Sequence, residues 1–191
     1  MDMENKVVIL SAPSGCGKTT ILKALMAKNL PFEFSVSATS RHRREGETDG
    51  RDYYFFTPEQ FMEKVDAGEF LEWNEVYAGQ YYGTLLSEVD RIARNGRHAI
   101  FDVDVKGGLS IKERFGDRAL AIFVMPPSIE VLRQRLLSRG TETPESVEKR
   151  LKRADYEISF AERFDYVLVN DDLETAIRDA CRLVSGFLGL E

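Results

Sequence analysis

Four aliphatic residues, Val7-Val8-Ile9-Leu10, run without a break into Ser11-Ala12-Pro13-Ser14-Gly15-Cys16-Gly17-Lys18-Thr19-Thr20, and apolar residues resume at helical spacing with Ile21, Leu22, Leu25 and Met26. An uninterrupted apolar run suits a strand buried on both faces, and the spacing after Thr20 suits a helix, so strand, tight loop and helix follow one another. This is the layout of a phosphate-binding loop. Glycines let successive backbone N–H groups converge on a polyphosphate, and the helix N-terminus adds partial positive charge. Ala12 to Thr20 are the candidate phosphate-binding residues. Lys18 is placed to reach terminal phosphates, and the Thr19 hydroxyl is a candidate Mg²⁺ ligand. The usual first glycine of such a loop is Ala12 here, where the strand ends, while Gly15 and Gly17 serve the tight inner curve.

At 191 residues the chain is long enough for one domain with a substantial core. A formal net charge of −6 gives no support to a nucleic-acid-binding surface. The start Met1-Asp2-Met3-Glu4 is acidic and no stretch approaches membrane-spanning length, so a cytoplasmic protein without membrane contact is expected. Cys16 and Cys181 are far apart and lack metal-ligand spacing, which argues against a disulfide framework. Cys16 falls at the expected helix N-terminus, where a lowered thiol pKa and oxidative inhibition are expected.

Short apolar strands alternate with helices along the chain, the pattern of a parallel sheet with helices on both faces. The expected strands are Val7–Leu10, Phe34–Val36, Ala99–Val103, Ala119–Met125 and Tyr166–Val169. Thr57-Pro58-Glu59-Gln60 supplies an N-cap, a proline in the first turn and the glutamine of a capping box, with Gly68 as the stop. Ser128 opens a helix that Gly140 closes, Thr143-Pro144 opens the next, and the pattern Ala176, Ile177, Ala180, Cys181, Leu183, Val184 and Phe187 marks an amphipathic C-terminal helix. No repeat or flexible linker separates a second domain. A single domain over 4–190 is expected, with core segments 4–32, 85–126 and 158–190, an inserted region 33–84 and a helical lid 127–157.

The inserted region departs from the alternation. Tyr53-Tyr54-Phe55-Phe56, Leu71-Glu72-Trp73-Asn74 and Tyr81-Tyr82-Gly83-Thr84 suit a small separate β-sheet. Arg41 and Arg44 lie beside Glu45-Gly46-Glu47, and guanidinium forks match phosphate oxygens bidentately. The hydroxyls of Tyr53 and Tyr82 would complete such a pocket; a solvated basic turn is the alternative. Guanine presents two adjacent N–H donors beside a carbonyl, which a carboxylate and a hydroxyl complement, and Glu72, Ser37 and Thr84 are of those types. Asp102 and Asp104 are expected to end a strand with both carboxylates on one side, Asp102 toward a metal ion and Asp104 toward the second ligand.

The chain closely resembles guanylate kinases from about Lys6 to Phe187. The matching blocks are Ser11–Thr19, Phe34–Arg41, Arg44–Glu47, Gly50–Phe55, Phe70–Trp73, Tyr81–Thr84, Asp102–Asp104, Arg135–Gly140 and Val169–Asp172. His42-Arg43 stands where the family often has Thr-Pro or Ala-Pro, which changes loop stiffness and leaves the Arg41–Arg44 spacing intact. The resemblance implies a P-loop α/β fold and transfer of the γ-phosphoryl of ATP to GMP, with dGMP as a further expected acceptor and Mg²⁺ as cofactor. It implies that Ser37, Glu72 and Thr84 recognise guanine with Asp104 close by, and that Arg41, Arg44, Tyr53 and Tyr82 hold the GMP phosphate with Glu47 nearby. Arg135, Arg139 and Arg150 become lid arginines acting with Lys18 and Arg41 in catalysis, and Asn170 an adenine contact. The oligomeric state is left as monomer or small homo-oligomer. Two other readings stay open: a kinase for another small phosphorylated acceptor, and a guanylate-kinase-like phosphopeptide-binding module without turnover. His42 and His98 show no triad or zinc spacing.

Overall fold

The computed structural model describes residues 5–28, 30–138 and 143–190. In chain order the elements are β1 (Val7–Ser11), α1 (Lys18–Ala27), β2 (Phe32–Phe34), β3 (Ala38–Thr39), β4 (Tyr54–Phe55), α2 (Pro58–Asp66), β5 (Phe70–Tyr77), β6 (Gln80–Leu85), α3 (Leu86–Arg94), β7 (His98–Asp102), α4 (Val105–Phe115), β8 (Ala119–Met125), α5 (Ile129–Leu137), α6 (Pro144–Ile158), β9 (Tyr166–Val169) and α7 (Leu173–Leu188).

Five strands form a parallel sheet in the order β2-β7-β1-β8-β9. Every residue of β1 is buried. Val8 and Leu10 join an apolar cluster with Ile21, Leu25, Leu132, Leu136 and Val184, whereas Val7 and Ile9 join another with Ile92, Ile111 and Phe164. Helices therefore cover both faces of the central strand, which explains its unbroken apolar run. The second sheet, ordered β4-β3-β6-β5, pairs β3 with β6 and β6 with β5 antiparallel. It packs on α2 through Phe61, whose ring stacks on Phe70 at 4.4 Å.

Local chemistry placed most helix starts where expected. Thr57 and Gln60 close a reciprocal capping box, Ser128 accepts from the Val131 amide, and Thr143 accepts from the Ser146 amide. Gly140, the expected stop of α5, lies outside the described residues. The expected strand Phe34–Val36 is displaced by two residues. Phe32 and Phe34 pair with His98 and Ile100, while the Val36 amide leaves the ladder and donates to the Glu88 carboxylate at 3.0 Å. Glu88 is buried and also accepts from the Tyr54 hydroxyl at 2.9 Å and from Arg91 Nη2 at 2.8 Å. Burial opposes its ionisation, yet the bonds from Arg91, the Val36 amide and Tyr54 outweigh burial and lower its pKa. β7 ends at Asp102, one residue before the expected Val103, and Asp104 is not a strand residue: it is the N-cap of α4, accepting from the Gly107 amide at 2.8 Å. Among the described residues no helix is long and apolar enough to cross a membrane.

Helix α4 lies close against β1. A Cβ on Gly108 would stand 2.6 Å from Ser11 Oγ and 3.2 Å from Ile9 Cγ2. Ala favours a helix interior over Gly by about 1 kcal/mol, whereas overpacking a tight contact costs about 1–3 kcal/mol. Gly108→Ala should therefore lower stability in urea unfolding; a more stable variant would show that this contact does not constrain the α4–β1 spacing.

Candidate active site

The carboxyl ends of β1 and β7 open into a cavity of about 520 Å³, with the 12–20 loop on one side and residues of the second sheet on the other. Parallel α/β sheets place ligands at this edge, outside the strand ends. Gly15 and Gly17 take left-handed φ values of 96° and 87°, and no described non-glycine residue has positive φ, so Ala12 sits in ordinary backbone geometry. That explains why alanine fits there. Gly15 packs on α5, where an added Cβ would lie 3.0 Å from Leu132 and Leu136 methyls.

Lys18 contacts the Asp102 carboxylate, and its Nζ lies 3.4 Å from the Val103 carbonyl oxygen. Thr19, Asp102 and Asp104 line the same cavity. From α6, Arg150 Nη1 donates to Ser14 Oγ at 2.5 Å, so that arginine reaches the loop. Cys16 is fully buried in the apolar cluster under the loop. The expected peroxide-sensitive thiol is thus shielded from solvent, because the turn directs this side chain inward.

Across the cavity, the antiparallel register of β5 and β6 makes Glu72 and Thr84 cross-strand partners. Thr84 Oγ1 donates to Glu72 Oε1 at 2.7 Å, and Asn74 Nδ2 lies 3.5 Å from Oε2. Burial pushes the Glu72 carboxyl up to about 7; the Thr84 bond pulls it down and the neighbouring Asp104 charge adds to the rise. A Cβ on Gly107 would collide with Glu72 Oε2 at 2.6 Å, so the first turn of α4 sits against this carboxylate. Ser37, Arg44, Tyr53 and Tyr82 complete the wall. Arg41 stands behind it, its guanidinium 4.9 Å from the Tyr53 ring centroid and bound to Glu47 by two bonds of 2.7 and 2.6 Å. That guanidinium holds the Glu47 carboxyl down at about 2, helped by the Arg44 amide.

Arg41, Glu47 and the fully buried Thr84 do not line the cavity, nor do Arg135 and Asn170. Arg135 Nη2 donates to the Asn170 and Asp171 carbonyls at 2.9 and 3.3 Å. Asn170 is buried behind the loop, where Nδ2 donates to the Cys16 carbonyl at 2.8 Å. Arg139 lies outside the described residues. Two charged cavity residues escaped sequence reasoning. Arg153 on α6 donates to Glu157 at 2.9 Å and to the Val76 carbonyl at 3.1 Å, with its guanidinium 5.0 Å from the Tyr77 ring. Burial raises the Glu157 pKa, while Arg153 and Lys18 oppose that rise. Arg153 and Glu157 are spaced i, i+4 on a helix whose charged pattern reads as solvated surface, and only the proximity of β5 gives them a wall to join.

The guanylate kinase family profile matches residues 4–185 of the chain. A guanylate kinase of Bacteroides fragilis is 49% identical over 188 residues, covering 98% of this chain and 92% of that protein. One from Porphyromonas gingivalis is 50% identical, with coverage of 96% and 98%. The crystal structure of guanylate kinase from Anaplasma phagocytophilum superposes with a TM-score of 0.77 at 32% identity, over 95% of this chain and 85% of that one. With the 12–20 loop and the buried Glu72 lining one cavity, and with this likeness along its length, the chain belongs to the guanylate kinase family.

Proposed function

We propose that the chain transfers the γ-phosphoryl of ATP to GMP, yielding ADP and GDP, and accepts dGMP as well. The observation that carries this reading is Glu72, buried on the wall opposite the 12–20 loop and held by the Thr84 hydroxyl. Ionised Glu72 retains acceptor capacity for two adjacent N–H donors and Ser37 would supply a hydroxyl for guanine, while Thr84, whose proton goes to Glu72, would fix that carboxylate. Arg41, Arg44, Tyr53 and Tyr82, with Glu47 fixing Arg41, would orient the acceptor phosphate. On the donor side the backbone N–H groups of Ser14–Thr20 and the Lys18 ammonium would neutralise the phosphates. Residues 127–157, carrying Arg135, Arg139 and Arg150, would act as a lid over residues 33–84 and the core.

The Thr19 hydroxyl and Asp102 carboxylate are oxygen donors on the cavity wall, the chemistry that suits Mg²⁺, and they would hold it. When bound, the ion would supply charge neutralisation at the phosphates. An acceptor phosphate oxygen attacks the γ-phosphorus in line, the bond from that phosphorus to the β,γ-bridging oxygen breaks, and ADP leaves. A phosphate dianion is already nucleophilic, so no general base or phosphoenzyme is required. The reaction would take place in the cytoplasm.

ADP release measured in parallel with GMP, dGMP, AMP, CMP and UMP should be rapid only with the guanine nucleotides; turnover with another acceptor, or with none, would replace this reading. Lys18→Ala should fold and lose roughly 10²–10³ of kcat, as removal of a transition-state charge partner does. Near-normal turnover would refute its role.

Glu72 must be ionised to accept two donors, so kcat/KM for GMP should rise with pH to a plateau above about 7. Glu72→Gln should lose that step and much of the discrimination against AMP, while retaining the step from the acceptor phosphate itself. The same residue sets a stability slope. Its folded pKa is raised from 4.5 to about 7, so its contribution is present below 4.5 and is lost as pH rises through about 7. Glu72→Gln should therefore be more stable than the parent at pH 8, by about 2–3 kcal/mol, and gain little at pH 4.5, in paired urea titrations.

A further inference from the structure

Asn170 follows β9 directly, and its backbone N–H donates to the Met125 carbonyl at 2.8 Å, which fixes the residue beside the sheet. Its side chain is 4% exposed. Nδ2 donates to the Cys16 carbonyl at 2.8 Å, whereas Oδ1 is buried and has no hydrogen-bond partner. A Cβ on Gly17 would come within 2.4 Å of Nδ2, so Gly17 must be glycine for space as well as for its φ of 87°. From α5, Arg135 anchors the same turn through the Asn170 and Asp171 carbonyls.

The carbonyl of a trans peptide and the N–H of the next residue point in opposite directions. Drawing the Cys16 carbonyl back toward Asn170 therefore turns the Gly17 N–H away from Asn170, to the side where Gly17 lines the cavity. We propose that Asn170 is a positioning residue for the phosphate loop: it locks the Cys16–Gly17 peptide plane so that the Gly17 N–H faces the donor phosphates, and it does not read the donor's base. Oδ1, the side-chain atom able to accept from an exocyclic amino group, is buried, and Asn170 does not line the cavity. The inference rests on the loop being the donor-phosphate site. Within that reading it gives Asn170 a role different from the adenine contact that family resemblance implies.

The two roles separate with a ligand that has phosphates and no base. In Asn170→Ala and Asn170→Asp, the affinities for ATP and for inorganic tripolyphosphate should fall together, by about tenfold, the loss expected from one hydrogen bond that orders a binding group. The ratio of kcat/KM with ATP to that with GTP as donor should stay within about twofold of the parent, and the KM for GMP should not move. A collapsed ATP-to-GTP ratio with tripolyphosphate affinity intact would overturn the proposal, as would unchanged affinity for both. Should either variant fail to fold, the unsubstituted ¹⁵N-labelled protein decides. Its Asn170 side-chain amide resonances should shift with tripolyphosphate and stay in place with adenosine; the reverse pattern overturns the proposal. Parent protein that bound neither ATP nor tripolyphosphate would instead remove the donor-site reading and this inference with it.

Discussion

The burial of β1 on both faces is the constraint on which the remaining structure depends. A parallel strand in the middle of a sheet needs helices above and below, and β1 obtains them by directing Val8 and Leu10 to one side and Val7 and Ile9 to the other. Its carboxyl end, like that of β7, is where the backbone turns out of the core into the cavity. The 12–20 loop rises from that point and is supported from below. Gly15 rests on the α5 leucines, Asn170 holds the Cys16 carbonyl, and Gly108 lets α4 approach Ser11. These contacts lie in the interior, so the loop's shape is set before any phosphate arrives.

Two buried glutamates show how the same side chain has its acceptor sites filled in one place and left partly open in another. Glu88 is saturated: the Val36 amide, Tyr54 and Arg91 fill its acceptor sites, and its pKa falls. Glu72 is equally enclosed but has the Thr84 hydroxyl at 2.7 Å and only a long approach from Asn74, and its pKa rises to about 7. The unmet acceptor capacity of Glu72 destabilises the folded chain in isolation and is what an N–H-rich base can use. Glu88 holds the second sheet to α3 and the β2 exit, whereas Glu72 leaves acceptor sites unmet on the cavity wall.

Arg153 illustrates a different division. It joins α6, which also carries Arg150 to the loop, with the Val76 and Tyr77 end of β5. The loop side and the second-sheet side of the cavity are therefore both joined to α6 by long cationic side chains.

Local chemistry determined much by sequence alone. The apolar run into Gly15-Cys16-Gly17-Lys18-Thr19 specified strand, loop and helix. Thr57, Ser128 and Thr143 specified helix starts, because capping uses residues three apart and needs nothing distant. The candidate residues Glu72, Thr84, Arg41, Glu47 and Tyr53 were recognisable by type. Their arrangement was not, since the Glu72–Thr84 pair exists only through the β5–β6 register, and Arg41 binds Glu47 behind Tyr53. Tertiary structure alone moved β2 to Phe32–Phe34, by drawing the Val36 amide to Glu88. It made Asp104 a helix cap, buried Cys16, brought Arg153 and Glu157 into the cavity wall and set Asn170 behind the loop. A sequence displays bonds between near neighbours through spacing and residue type, whereas burial and long-range partners arise only when distant segments pack, and these set the pKa of Glu72 and the orientation of the loop.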